Sequence, residues 1–243
     1  GQRSYGDGVY PCGVGGDAAR VARPTGLATH VARLIKFMPA CLHVSEEALA
    51  TDNAPRLVVY PPEDPQRAEV ERFIQDIYQV RYGASVKEFA PFLVGLKDEH
   101  GQLVAAVGYR CAEATPLFLE QYFDVPIEQV MACNAGVDLS RAGLVEVAHL
   151  VALKPGQGRR MMSELGMLLQ AKGVIWIVST VTRELRHLFA RMGIAPLALG
   201  AADANRLGDS VKDWGRYYEH EPVVLAVQLQ IAMRLNPRLV GGA

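Results

Sequence analysis

Between Gly143 and Gly173 the chain reads GLVEVAHLVALKPGQGRRMMSELGMLLQAKG. An apolar run long enough for a buried strand passes into a Gly-rich, basic turn, and that turn opens a helix. The first amides of a helix have no partner within it and carry partial positive charge, so a phosphate can rest there without a dedicated side chain. A carboxylate, Glu146, and an imidazole, His149, lie on the strand that feeds this turn. The combination points to transfer chemistry on a carrier that bears phosphate. The plainer reading is a buried strand followed by an ordinary helix start.

The rest of the chain supplies a sheet for that strand. RLVVY at 56–60 reads as a strand stopped by Pro61 and Pro62. Asp64 and Pro65 then start a helix running to Tyr82, with Val70, Phe73, Ile74, Ile77 and Val80 as its apolar stripe and Gly83 as its stop. PFLVGLKDEHGQLVAAVGYR places two apolar runs around Asp98–Gly101, a hairpin signal. Residues 116–135 read as one or two short helices. After the central strand (144–152), the turn (154–158) and its helix come a buried strand at 174–180, a helix from Thr182 to Met192, a strand at 195–199, a polar helical stretch at 201–218 and a last strand at 222–229. The hairpin requires antiparallel pairing, whereas strand–helix alternation in the second half predicts parallel pairing there. The expected fold is α/β (α+β), a mixed central sheet flanked by helices. Residues 1–26, rich in Gly and small side chains, read as a flexible arm. Residues 27–60 read as an N-terminal extension, and 61–243 as the catalytic-type domain.

Charge narrows the partners. The net charge of −1 gives no support to nucleic-acid binding. Bases are nonetheless concentrated in 141–191 (Arg141, Lys154, Arg159, Arg160, Lys172, Arg183, Arg186, Arg191), where the acids are Glu146, Glu164 and Glu184. Such a region suits an acidic carrier or a nucleotide-like group, or is simply a solvated face. The four cysteines, Cys12, Cys41, Cys111 and Cys133, show no metal spacing, so no metal is expected. They read as free thiols of a reducing compartment, which places the chain in the cytoplasm. No run reaches the length of a membrane span.

PFLVGLKDEHGQLVAAVGYR, LFLEQY (117–122), RAGLVEVAHLVAL (141–153), IWIVSTVTRELRHLFARMGI (175–194) and WGRYYEHEPVVLAVQL (214–229) together resemble the thermostable hemolysin family, on the GNAT acyltransferase fold. That family is related to the acyl-homoserine-lactone and N-acyl amino acid synthases. LFLEQY and WGRYY are the most specific carriers of the resemblance. Two positions depart from it. The family usually has Gly-Asn where this chain has Ala148-His149, and KPGQGRR only partly matches the Q/R-x-x-G-x-G/A turn of acetyl-CoA-binding members.

The resemblance implies an N-acyltransferase. It would move an acyl group, a fatty acyl being expected, from acyl-CoA or acyl carrier protein to an amine of a small molecule. The alternatives on the same fold are a membrane-lytic protein and a non-catalytic acyl-CoA binder. Backbone groups of Val151 and Leu153 would run beside a pantetheine arm, and the amides of Gly156, Gln157, Gly158 and Arg159 would cradle its phosphate, with Arg159 or Arg160 adding charge. Glu146 is the candidate base, because a carboxylate in so apolar a run is either functional or ion-paired. Arg110 is its candidate partner. His149 is either a second base or a core histidine. Glu120 either binds the acceptor amine or holds local packing. Tyr217 and Tyr218 either protonate a leaving thiolate or pack at the sheet edge. Phe118, Tyr122, Phe123 and Trp176 line an acyl groove or belong to the core.

Overall fold

The computed structural model describes residues 56–136 and 139–235. The expected arm (1–26) and nearly all of the expected extension lie outside the described residues. Seven strands form one mixed sheet in the order β1-β2-β3-β4-β5-β7-β6. They are β1 (Arg56–Tyr60), β2 (Phe92–Lys97), β3 (Leu103–Cys111), β4 (Leu144–Ala152), β5 (Trp176–Val181), β6 (Leu197–Ala201) and β7 (Val223–Gln228). Among the described residues five α-helices accompany them: α1 (Arg67–Tyr82), α2 (Ile127–Ala135), α3 (Pro155–Ala171), α4 (Arg183–Arg191) and α5 (Leu229–Leu235). β1 pairs with β2 along its length, so the sheet begins inside the segment expected to be an extension.

The hairpin forms as expected, with Asp98 Oδ1 accepting from the amides of His100 and Gln102 at 2.9 Å. Parallel pairing is confined to β4–β5; β7 enters antiparallel between β5 and β6. Alternation of strands and helices therefore overstated the parallel content, because the polar stretch between β6 and β7 lets the chain turn back. That stretch consists of 3-10 turns, Ala204–Trp214 broken at Gly208 and Tyr217–His220.

Alternation along β3 divides the core. Ala105, Val107 and Tyr109 face a layer containing Met161, Leu165 and Leu169 of α3 and Leu229 and Met233 of α5. Ala106 faces α1 through Val70, Ile74, Tyr78 and Tyr82. Farther along that side, Leu119, Tyr122, Ile127 and Met131 pack over Leu144 and Val178. The stripe expected on α1 holds at its start, but Val80 is 85% exposed. The buried row follows i, i+4 spacing through Val70, Ile74, Tyr78 and Tyr82, which carries it around the helix away from Val80. Asp64 caps the turn rather than the helix itself, accepting from Gln66 N at 2.8 Å. Cys111 is disulfide-bonded and Cys133 is a free, exposed thiol. The expectation of four free thiols thus fails at Cys111, and the argument from cysteines to a reducing compartment goes with it.

Candidate active site

The site arises where β4 stops behaving as a regular strand. Gly108 of β3 lies opposite Ala148, and Ala106 lies opposite Val151. Val107 alone therefore faces both His149 and Leu150, which makes a β-bulge. His149 takes up the extra residue in the left-handed region, at φ 57°, a conformation that His and Asn tolerate better than most side chains. Its ring lies over Gly108, where a Cβ would come within 3.2 Å of His149 Cδ2 and 2.8 Å of Ala90 Cβ. On the other side, β4 pairs with β5 only from Leu144 to Glu146. Beyond that register the strands separate, and Ser179 Oγ reaches across to Val147 O at 2.6 Å.

A cleft of about 410 Å³ fills the separation, within the range of ligand sites. Leu150, Met162, Leu165, Ile177, Leu188 and Leu225 give it apolar walls, and Lys154, Pro155 and Gly158 border it at the start of α3. Leu185, Leu188 and Phe189 of α4 line this cleft and remain partly exposed. A second, smaller cavity of about 50 Å³ holds Glu88, Arg110, Phe118, Tyr122, Glu146 and Trp214. Both cavities share Tyr78, Ala148, His149, Thr180 and Tyr217, so they meet at the bulge. His149 Nδ1 and Thr180 Oγ1 are buried there without a hydrogen-bond partner. Such orphaned atoms are uncommon in native proteins and favour a functional junction.

Glu146 is 3% exposed. Its Oε2 accepts from Phe118 N at 2.7 Å and its Oε1 from Leu119 N at 3.0 Å, so it caps the 3-10 turn Phe118–Tyr122. Burial pushes its pKa up to about 7, opposed by those two amides and by the charge of Arg110. A carboxyl poised there can take a proton at neutral pH. Arg110 is its directly opposite neighbour on β3. The guanidinium does not hydrogen-bond Glu146, however; it donates to Glu88 Oε1 at 2.8 Å and to Pro116 O at 3.3 Å. Burial also lowers the pKa of His149 to about 4, with Arg110 and Arg67 adding to the shift, so its imidazole is neutral at pH 7.

Glu120 takes the packing role of the two expected for it. Its carboxylate accepts from Leu117 N at 2.7 Å, from Ile127 N at 2.9 Å and from Arg141 Nη1 at 2.6 Å, and it borders neither cavity. Burial alone would raise its pKa, but Arg141 and the two amides hold it below the usual carboxylate range. Arg141 also binds Glu128 at 2.6 Å, tying the 3-10 turn to α2. Glu120→Ala is expected to cost about 1–3 kcal/mol by leaving buried donors unmatched. The turnover of the surviving folded protein should be retained; thermal melting and initial rates check both.

The expected anion seat is narrower than the sequence implied. Pro155 has no amide hydrogen, and the amides of Gln157 and Gly158 both reach Lys154 O, at 3.1 and 3.3 Å. From Arg159 onward the amides belong to the helix ladder. Gly156 remains as the uncommitted first-turn amide, with Lys154 and Arg159 exposed beside it. Arg160 is paired with Glu164 one turn on, at 2.5 Å. Val151 and Leu153 are also displaced by one position from their expected role. Leu153 N donates to Val104 O at 3.0 Å and Val151 is in register with Ala106, so both peptides turn toward β3. Alternation gives the edge facing the cleft to Leu150 and Ala152.

The model of the family described as thermostable hemolysin matches residues 60–233. The chain belongs to that family. No curated protein matches this hemolysin-family chain. Among solved structures it is similar to FeeM, an N-acyl amino acid synthase from uncultured soil microbes, at 14% identity and a TM-score of 0.53, covering 74% of this chain and 94% of that one. It is similar to BjaI, a CoA-dependent acyl-homoserine lactone synthase solved with SAM and isopentyl-CoA, at 11% identity and a TM-score of 0.54, covering 78% and 92%. The acyl-homoserine-lactone synthase LasI matches at 12% identity and a TM-score of 0.50, covering 75% and 97%. At such identities the likeness establishes the GNAT-like fold.

Sequence reasoning missed Glu88, Thr180 and Trp214 in this hemolysin-family site. Trp214 lies in WGRYY, so that motif carried a usable signal. Glu88 and Thr180 become visible only once the loop before β2 and the open half of β5 are placed beside β4. Of the aromatic candidates, Phe118 and Tyr122 line the small cavity, whereas Phe123 and Trp176 pack in the core. Among the described residues no cluster of His, Cys, Asp or Glu has the form of a metal site, and no helix is long and apolar enough to cross a membrane.

Proposed function

We propose that this protein is an N-acyltransferase that moves a fatty-acyl group from a phosphopantetheine thioester, on CoA or acyl carrier protein, to the amine of a small molecule. The observation that carries the reading is the meeting of two unlike cavities at the bulge of β4. One is larger and mostly apolar, with Lys154 on its border at the start of α3, and the other is small and contains a buried carboxyl. Glu146 would take the proton as the amine nitrogen attacks the thioester carbonyl carbon. Thr180 Oγ1, which has no partner, can turn toward the developing oxyanion. When the C–S bond breaks, Tyr217, which like Tyr78 and Thr180 lines both cavities, is kept protonated by burial and can turn its hydroxyl from Thr180 O, 3.4 Å away, toward the sulfur. Lys154, Gly156 and Arg159 stand as the phosphate contacts, and Leu150 and Ala152 as the backbone partners of the pantetheine arm. FeeM is described as an N-acyl amino acid synthase and BjaI as a CoA-dependent acyl-homoserine lactone synthase, in keeping with this assignment.

Mass-resolved transfer from a panel of acyl-CoA and acyl-carrier-protein donors tests it. Medium or long chains should react and acetyl should react poorly; a folded protein that binds no donor would remove the reading. Leakage of liposomes by purified protein, independent of any thioester, would favour a lytic role instead. The cleft also makes a length prediction. Leu188→Trp narrows its wall and should move the preferred donor toward shorter chains, read as a change in the ratio of kcat/KM between long and short acyl-CoA.

A further inference from the structure

Arg110 and Glu146 face each other across β3 and β4, so their side chains rise from the same face of the sheet. Directly opposite residues of an antiparallel pair hold their Cβ atoms ~4.5–5.5 Å apart. Both side chains also line the small cavity of about 50 Å³, where a cation and a base address two groups held close together on one ligand. At present the guanidinium meets an internal carboxylate, Glu88, through a single contact of 2.8 Å. The two partners differ sharply in exposure: the side chain of Arg110 is 14% exposed and that of Glu88 68%. Withdrawing the wet carboxylate is cheap. Leaving the enclosed guanidinium without an anion is not.

The loop that carries Glu88 is pinned on both sides of it. Gln75 Nε2 donates to Ala84 O at 3.1 Å, and Gln75 Oε1 accepts from Val86 N at 2.7 Å. Arg67 donates to Ala90 O at 2.8 Å and to Pro91 O at 2.5 Å. Release therefore needs only a rotation of the Glu88 side chain into solvent, with the backbone held. We infer that Glu88 is a placeholder, holding Arg110 until a carboxylate on the acceptor takes its place, so that the acceptor is an α-amino acid. This rests on the acyl-transfer reading above and adds what the acceptor must carry besides its amine. A simple amine leaves Glu88 where it is and gains nothing from Arg110. An amino acid replaces one carboxylate by another and leaves the charge of the pocket unchanged.

The test holds one acyl-CoA donor constant and compares acceptors in pairs that differ only by the carboxylate, phenylalanine against phenethylamine and leucine against isoamylamine. In the wild type, kcat/KM should favour the amino acid by ~10- to 100-fold, the range of a charge-assisted hydrogen bond. R110Q should bring the ratio close to one, chiefly through KM. E88Q should lower KM for the amino acid by about two- to fivefold, the size of an exposed ion pair. Equal use of both members of each pair overturns the placeholder role and leaves acyl transfer standing. Calorimetry with phenylacetate, a carboxylate without an amine, separates the two ideas: binding should strengthen in E88Q and vanish in R110Q. That pattern in a protein that acylates nothing would sink the enzyme reading while keeping the carboxylate seat. No phenylacetate binding by either the wild type or E88Q overturns the seat itself.

Discussion

Glu146→Gln should lower kcat for acyl transfer by ~10²- to 10⁴-fold, the usual contribution of a positioned base, with little change in KM for the thioester. Glutamine keeps the volume and one acceptor oxygen for the amides of Phe118 and Leu119, but it cannot take a proton. The pH profile separates chemistry from packing. With its pKa raised to about 7, Glu146 should give the wild type a rate that climbs with pH through that value. The variant should lose this limb. Stability moves the other way. The unfolded chain releases this proton near 4.5 and the folded chain near 7, so between those values the unfolded state holds fewer protons and stability falls as pH rises. E146Q should flatten that stretch of the stability curve. Retained turnover with an unchanged pH profile would reduce Glu146 to a cap on the 3-10 turn.

The largest loss of stability is expected from Gly215→Ala. Gly215 sits at φ 51°, and a Cβ there would fall 2.3 Å from Tyr82 O and 2.7 Å from Gly83 O. Both are backbone atoms at the end of α1, which no rotamer can move aside. The neighbouring residues fasten the same junction: Arg216 N donates to Tyr82 O at 2.8 Å and Ser85 N to Asp213 O at 2.7 Å. Overpacking and a left-handed backbone together should cost about 3 kcal/mol or more, or roughly 6–12 °C in Tm for a chain of this size. Because Trp214 and Tyr217 border the cavities, donor binding should weaken as well. A melting point within a degree or two of the wild type would contradict this account of WGRYY.

Much of the fold is legible in local pattern. The hairpin at Asp98–Gly101, the helix after Pro65 and the strand–turn–helix at 144–171 are all set by short-range chemistry. Pairing order is less so, since nothing in β7 itself says that it enters between β5 and β6. The site divides along the same line. Glu146 was visible because a carboxylate in an apolar strand calls for a reason. Glu120 kept two roles open, since LFLEQY does not reveal that Arg141 and two amides take up its oxygens. The bulge also explains a departure from the family pattern. A left-handed residue is needed at this position, where the resemblance leads one to expect Asn, and His149 is one of the few other side chains that accept it. Register along an edge is harder still. A one-residue difference decides whether Val151 and Leu153 or Leu150 and Ala152 present their peptides to the cleft, and only the bulge fixes that count.

The parting of β4 from β5 carries a consequence for how a donor would be held. Peptide groups on the far half of each strand lack the strand neighbour that a continuous ladder would provide, and side chains serve two of them, Ser179 Oγ at Val147 O and the Tyr217 hydroxyl at Thr180 O. An arm built around amides can stand in for the missing neighbour, closing the ladder with a small molecule where the polypeptide left a vacancy. Donor recognition would then be a form of sheet repair, sensitive to the spacing of amides along the arm and indifferent to the side chains beside it.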